Sequence, residues 1–153
     1  MIRFVKITGA NRNMAEKLYV KPFQKDYIET VEECMNEADA DTDWRPLAVY
    51  DGEELIGFVM YGCITEEKWG SRVWMDRILI DHKFQGRGYG RKTIEALIKR
   101  LFKEYNVDKI YLSVYEENIV ALHLYKEFGF RFTGELDTKG EQVMSLNRES
   151  AGV

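Results

Sequence analysis

Residues 73–105 read VWMDRILIDHKFQGRGYGRKTIEALIKRLFKEY. The stretch changes period twice. Val73 to Ile80 is an apolar run of strand length, whereas Ile94, Leu97, Ile98, Leu101, Phe102 and Tyr105 recur at helical spacing on one face. Between them stands the glycine-rich turn Gln85-Gly86-Arg87-Gly88-Tyr89-Gly90. Where such a turn joins a strand to a helix start, backbone N–H groups face outward with few side chains in the way. The helix dipole adds partial positive charge there, so the place suits phosphate. Arg87 and Arg91 supply full charges, and Gly86, Gly88 and Gly90 allow a bulky pyrophosphate to approach the backbone.

A lone glycine-rich turn is a weak motif, and its context narrows the reading. Arg91-Lys92-Thr93 follows Gly90 without the spacing of a nucleotide-binding P-loop, which argues against a nucleoside triphosphatase. A dinucleotide fold would place its glycines after the first strand of a βαβ unit, and here they come after several strands.

Upstream, Ile2 to Thr8 alternates as a strand, and a short helix is expected from about Asn13 to Val20, before Pro22. A second helix is expected from Tyr27 to about Ala38, with Tyr27, Ile28, Val31, Cys34 and Met35 on one face. Asp26 to Asp43 holds eight acids and no lysine or arginine, the strongest charge asymmetry of the chain. Leu47 to Tyr50 and Leu55 to Gly62 read as strands joined by a tight Asp51-Gly52 turn. Downstream, Lys109 to Tyr115 is a strand that the intervening helix makes parallel to Val73–Ile80. Asn118 to Phe128 is a helix with an asparagine suited to capping and a closing Gly129. Two strands, Phe130 to Leu136 and Glu141 to Leu146, turn at Lys139-Gly140. The order predicts an α/β (α+β) fold: a mixed, mostly antiparallel sheet with a central parallel βαβ core and helices on both faces.

At 153 residues the chain fits a single domain, residues 1–153, with a full core. Its alternating, charged start lacks a signal-peptide pattern and no run reaches transmembrane length, so a cytoplasmic protein with no membrane partner is expected. Cys34 and Cys63 form no C-x-x-C pair and are expected to be buried thiols; His82 and His123 lack metal-pair spacing, so no metal is expected. The formal net charge of −4 argues against nucleic acid and suits a cationic partner.

Two motifs together resemble the GNAT superfamily of acyl-CoA-dependent N-acetyltransferases. Gln85, Gly88 and Gly90 meet its pyrophosphate motif. Asn118, Tyr125, Gly129 and Phe130 meet a second pattern, an asparagine before a helix that carries a tyrosine and closes on Gly-Phe. The run Asp76 to Asp81 followed by Phe84-Gln85-Gly86 looks most like the bacterial spermine/spermidine (diamine) acetyltransferases. The resemblance implies acetyl-CoA as cosubstrate. It implies main-chain contacts from Ile78, Leu79 and Ile80 to the pantetheine arm, a pyrophosphate held by Gly86, Arg87, Gly88, Tyr89, Gly90 and Arg91, and a cofactor contact from Asn118. Capping alone is the rival reading of Asn118. Tyr125 matches the family's general acid, and its rival is an ordinary packed aromatic. Asp76 aligns with a carboxylate that helps deprotonate the amine; its rivals are a solvated strand residue and a partner for Arg77.

A polycationic alkylamine suits a site rimmed with carboxylates. The acidic segment lies where the family's substrate-gating helices occur, so Glu33, Glu37, Asp43 and Trp44 are expected substrate contacts, Trp44 through cation–π attraction. A plain solvated helix face is the alternative. Aminoglycosides, peptide amines and a non-catalytic acyl-CoA sensor stay open. Dimers are common in the family, and the sequence leaves the oligomeric state unsettled.

Overall fold

The computed structural model describes residues 1–24 and 28–153. Among them the chain runs β1 (Ile2–Lys6), α1 (Arg12–Glu16), α2 (Val31–Ala40), β2 (Trp44–Asp51), β3 (Glu54–Glu66), β4 (Gly70–Ile80), α3 (Tyr89–Glu104), β5 (Lys109–Val114), α4 (Ile119–Phe128), β6 (Arg131–Leu136), β7 (Gln142–Asn147) and α5 (Arg148–Ala151). Short 3-10 turns cover Pro22–Gln24 and His82–Phe84. The strands form one seven-stranded sheet in the order β1-β2-β3-β4-β5-β7-β6. β4 and β5 are parallel, with Trp74 opposite Tyr111. β1–β2, β2–β3, β5–β7 and β6–β7 pair antiparallel.

Several boundaries differ from the sequence reading for identifiable reasons. α2 starts at Val31 rather than Tyr27 because Thr30 and Glu33 form a capping box, each side chain meeting the other's backbone N–H. Ile28 still packs on the same core; Asp26 and Tyr27 lie outside the described residues. α1 is only Arg12–Glu16. β3 and β4 extend into a long hairpin whose tip was not foreseen, because Thr65 and Ser71, whose hydroxyls lie 2.8 Å apart, break the apolar pattern there. α5 was also not expected.

Contacts group the chain into two compact units: Met1–Gly62 with Asp76–Ala96, and Cys63–Met75 with Leu97–Val153. β3, β4 and α3 contribute residues to both. In the first unit Ala15, Leu18, Val31, Cys34, Met35, Phe58, Met60 and Leu79 form a buried cluster, with Trp44 packed against it. Burying each larger side chain contributes about 1.5–3 kcal/mol. Gly57 is needed here, since a Cβ would lie 2.4 Å from the Leu79 carbonyl oxygen of the adjoining strand.

The second unit is organised around Arg72, which is 6% exposed. Its Nε and Nη2 donate to Glu66 Oε1 at 3.1 and 2.9 Å, and Nη1 and Nη2 donate to the two Glu135 oxygens at 2.9 and 3.1 Å. The rings of Trp69, Trp74 and Tyr111 enclose the guanidinium at 4.9, 4.7 and 4.8 Å. Arg148 closes the C-terminus of α3, donating to the carbonyls of Phe102, Tyr105 and Val107. Cys34 is buried, but Cys63 is only half-buried, contrary to expectation, because it stands where β3 leaves the core. Both are free thiols.

Candidate active site

In the first unit the glycine turn departs from the end of β4 on a fixed base. The buried Asp81 donates its N–H to Ile56 O at 2.8 Å and accepts from Tyr19 N–H at 3.0 Å. His82 N–H donates to Tyr19 O at 2.8 Å, and the two rings stack 3.9 Å apart. Gln85 Nε2 donates to Ile80 O and to Gln24 Oε1, both at 2.9 Å, so this side chain braces the loop. Gly86 and Gly88 adopt φ of +79° and +82°, the left-handed region that disfavours any side chain. Cβ atoms built on Gly86, Gly88 and Gly90 would meet nothing within 4 Å, so the space over the turn is open.

α3 starts at Tyr89, with no acid in its first turn and with Arg91 and Lys92 there instead. Cations at a helix N-terminus oppose the dipole at a cost of a few tenths of a kcal/mol, roughly. A bound anion reverses that cost. Arg87 is exposed, with its guanidinium 5.5 Å over the Phe84 ring. The Tyr89 hydroxyl donates to Asp51 Oδ2 at 2.7 Å, tethering the turn to the β2–β3 hairpin. The Met1 ammonium and this hydroxyl together hold the Asp51 carboxyl below its ordinary pKa. The turn therefore has the open backbone, positive charge and rigid footing that a pyrophosphate requires.

A second feature of this unit, not foreseen as a cluster, surrounds Arg77. Its Nη1 lies 2.9 Å from Asp76 Oδ2, its Nη2 3.4 Å from Glu37 Oε2, and its Nε 2.7 Å from Glu29 Oε2. That last contact is close but misaligned, and among the described residues the Nε–H has no hydrogen-bond acceptor. Burial opposes the guanidinium's charge, and the carboxylates of Asp76, Glu29 and Glu37 outweigh it, so Arg77 titrates above its ordinary range. Three carboxylates thus contact this one guanidinium. The buried Cys34 thiol beside the cluster is pushed up to about 12, first by desolvation and then by those carboxylates, against the pull of Arg77.

The other expected substrate contacts separate. Glu33 is spent on its own helix cap, accepting from Thr30 N–H at 3.2 Å and Thr30 Oγ1 at 3.0 Å. Asp43 is exposed and donates its N–H to Asp41 Oδ1 at 3.0 Å. Trp44 is partly buried against the hydrophobic cluster. The Leu79 side chain is buried, whereas Ile78 and Ile80 are only partly so.

Asn118 and Tyr125 lie in the second unit. Asn118 stands at the N-terminus of α4, but its side chain makes no capping bond. Capping alone therefore does not account for it. Tyr125 is half-buried and meets Phe130 edge to face at 5.8 Å. Desolvation, and then the charge of Glu141, raise its phenol to about 12. No group of three potential metal-ligating side chains occurs among the described residues, and no helix there is long and apolar enough to cross a membrane.

The acetyltransferase (GNAT) family model matches residues 12–130, which spans both the glycine turn and the Asn118–Phe130 pattern. The chain belongs to this family. A spermine/spermidine N(1)-acetyltransferase of Bacillus subtilis (strain 168) is 41% identical over 146 residues, covering 94% of this chain and 96% of that protein. A spermidine N(1)-acetyltransferase of Vibrio cholerae is 32% identical over 136 residues, covering 88% and 76%. Among solved structures, the Vibrio cholerae spermidine N-acetyltransferase in complex with CoA and spermine superposes with a TM-score of 0.74 at 24% identity, covering 99% of this chain and 98% of that one. An aminoglycoside acetyltransferase, AAC(6')-Ib, in complex with coenzyme A reaches 0.80 at 18% identity, covering 98% and 96%. These two structural likenesses concern the fold: a mixed, mostly antiparallel sheet with one parallel pair.

Proposed function

We propose that the protein transfers the acetyl group of acetyl-CoA to a primary amine of a polyamine of the spermine or spermidine kind, by direct attack in a ternary complex. The observation that carries this reading is the 41% identity to a spermine/spermidine acetyltransferase across nearly the whole of both chains. The gathering of Asp76, Glu29 and Glu37 around Arg77 supports it, since carboxylates attract and orient an alkylammonium chain.

Acetyl-CoA, when bound, supplies a thioester carbonyl open to attack by a neutral amine. The N–H groups of Gly86 to Arg91 hold its pyrophosphate, with Arg87 and Arg91 adding charge. The main chains of Ile78, Leu79 and Ile80 pair with the pantetheine arm, and Asn118 offers its uncapped amide to the same ligand. A main-chain N–H near Leu79 polarises the carbonyl. Asp76 takes the amine proton, directly or through water, while Arg77 fixes its carboxylate at 2.9 Å. Glu37 and Asp43 steer the substrate. Glu33 and Trp44 act on it less directly, one through the helix cap and the other through packing.

Tyr125, at about 12, keeps its proton across the working pH range. Its phenolate would be a stronger base than a thiolate, whose reference pKa is about 8.5. Tyr125 therefore stabilises the departing sulfur mainly by donating a hydrogen bond.

Thiol release from acetyl-CoA across spermine, spermidine, putrescine, an aminoglycoside and a lysine peptide tests the proposal. Selective turnover of spermine and spermidine is expected. Turnover of the other amines alone overturns the substrate, and CoA binding without turnover overturns the enzyme in favour of a sensor. Tyr125→Phe is expected to lower kcat about 100-fold while leaving acetyl-CoA affinity nearly unchanged. Unaltered turnover removes it from this role.

A further inference from the structure

A cavity of about 410 Å³ lies wholly within the second unit, at the end of β5 away from Asn118. Lys109 is the first residue of β5, and the strand then runs six residues, about 20 Å, before the chain leads to Asn118. The cavity is thus remote from the carboxyl end of β5, the kind of strand end where ligands of such sheets usually bind.

Its lining is assembled by register. Lys109 pairs with Asn147 and Arg131 with Ser145, and directly opposed residues of antiparallel strands project to one face. The C-terminal turn of α4 adds Lys126 and Glu127, and α5 adds Ser150. Three exposed cationic side chains therefore line it beside one carboxylate, two hydroxyls and an amide. Lys109, Lys126 and Arg131 take part in no ion pair among the described residues, whereas Arg12, Arg72 and Arg77 each hold two or more carboxylates. Lys126 Nζ instead sits 5.0 Å over the Phe132 ring, and Arg131 Nη1 donates to Phe130 O at 3.1 Å. The helix C-terminus would repel an anion through its bare carbonyls, but two are already satisfied. Gly129 N–H donates to Lys126 O at 3.0 Å and Phe130 N–H to Tyr125 O at 3.1 Å.

We infer that this cavity binds a small, multiply charged oxyanion, held by Lys109, Lys126 and Arg131 and oriented by Ser145, Ser150 and Asn147. In a chain of net charge −4, uncompensated positive charge collected in one concavity favours such a ligand over water and monovalent ions. The inference does not depend on the acetyl-transfer reading.

The test is an NMR titration of the full chain with pyrophosphate and, in parallel, citrate at fixed ionic strength, following the amides of Gly129, Arg131, Ser145 and Asn147. Saturable shifts at these residues are expected with at least one anion, and the preferred arm tells a phosphate ligand from a carboxylate one. Lys126→Gln and Arg131→Gln should each weaken binding about tenfold. Glu127→Gln should strengthen it severalfold, a direction that misfolding does not produce. Shifts confined to Gly86–Arg91, no saturable shift with either anion, or unchanged affinity in Arg131→Gln overturns the proposal.

Discussion

Two arginines on β4, Arg72 buried and Arg77 only partly so, are partnered differently. Arg72 is enclosed by three aromatic rings, and all three of its nitrogens donate to two carboxylates, so its charge is met and its geometry complete. Arg77 faces three carboxylates, and among the described residues its Nε–H has no hydrogen-bond acceptor. The first arrangement is finished by the protein alone. The second sets three carboxylates against one guanidinium and leaves a donor unmatched. Burial of an arginine therefore does not identify its purpose; the balance of its partners does.

The comparison predicts unequal damage. Removing Arg72 strands two carboxylates, and Arg72→Met is expected to cost about 3–5 kcal/mol, read as a lowered urea midpoint. A loss below about 1 kcal/mol would mean that the aromatic walls hold this region without it. Arg77→Gln is expected to cost less, about 1–3 kcal/mol, because Arg77 is itself less buried and its 3.4 Å contact is to the 46% exposed Glu37. It also removes one positive charge from among the carboxylates, so added spermine should raise the melting temperature by several degrees more than in the parent protein. An identical spermine shift in both would remove Arg77 from any substrate role.

Cys34 reports on the Arg77 cluster. Its thiol is raised from an ordinary 9.0 to about 12, so the folded state keeps a proton that the unfolded state loses first. Its contribution is fully present below about pH 9 and is lost as pH climbs toward about 12. The decline in stability between pH 9 and 10 should be shallower in Cys34→Ala, and an equal slope would place the titration elsewhere. Thr93→Val gives the smallest effect. Thr93 Oγ1 is the other buried orphan atom among the described residues, and its removal should raise stability by about 1 kcal/mol. A loss instead would show that the hydroxyl holds a water.

Legibility in the sequence followed the range of the interactions. The glycine turn, the α3 stripe, the Gly129 cap and the parallel pair were readable because each rests on local period or backbone preference. The start of α2 was misplaced although Thr30 and Glu33 carry the capping-box spacing, since the apolar face continued past it to Tyr27. The acidic run was legible as charge, but its division of labour was not. Glu33 caps a helix and Glu37 reaches Arg77, 40 residues away, and nothing in their spacing distinguishes them.

The sequence by itself determined the order of elements as far as β7, the phosphate-suited turn and the family, because periodicity and glycine placement act over a few residues. Only the tertiary structure decided that Tyr89 tethers the turn through Asp51, that Asp76 shares Arg77 with Glu29 and Glu37, and that Lys109, Lys126 and Arg131 meet in one cavity. Charges act through space. Their partners are chosen by strand register and packing, which bring together residues that the chain holds far apart.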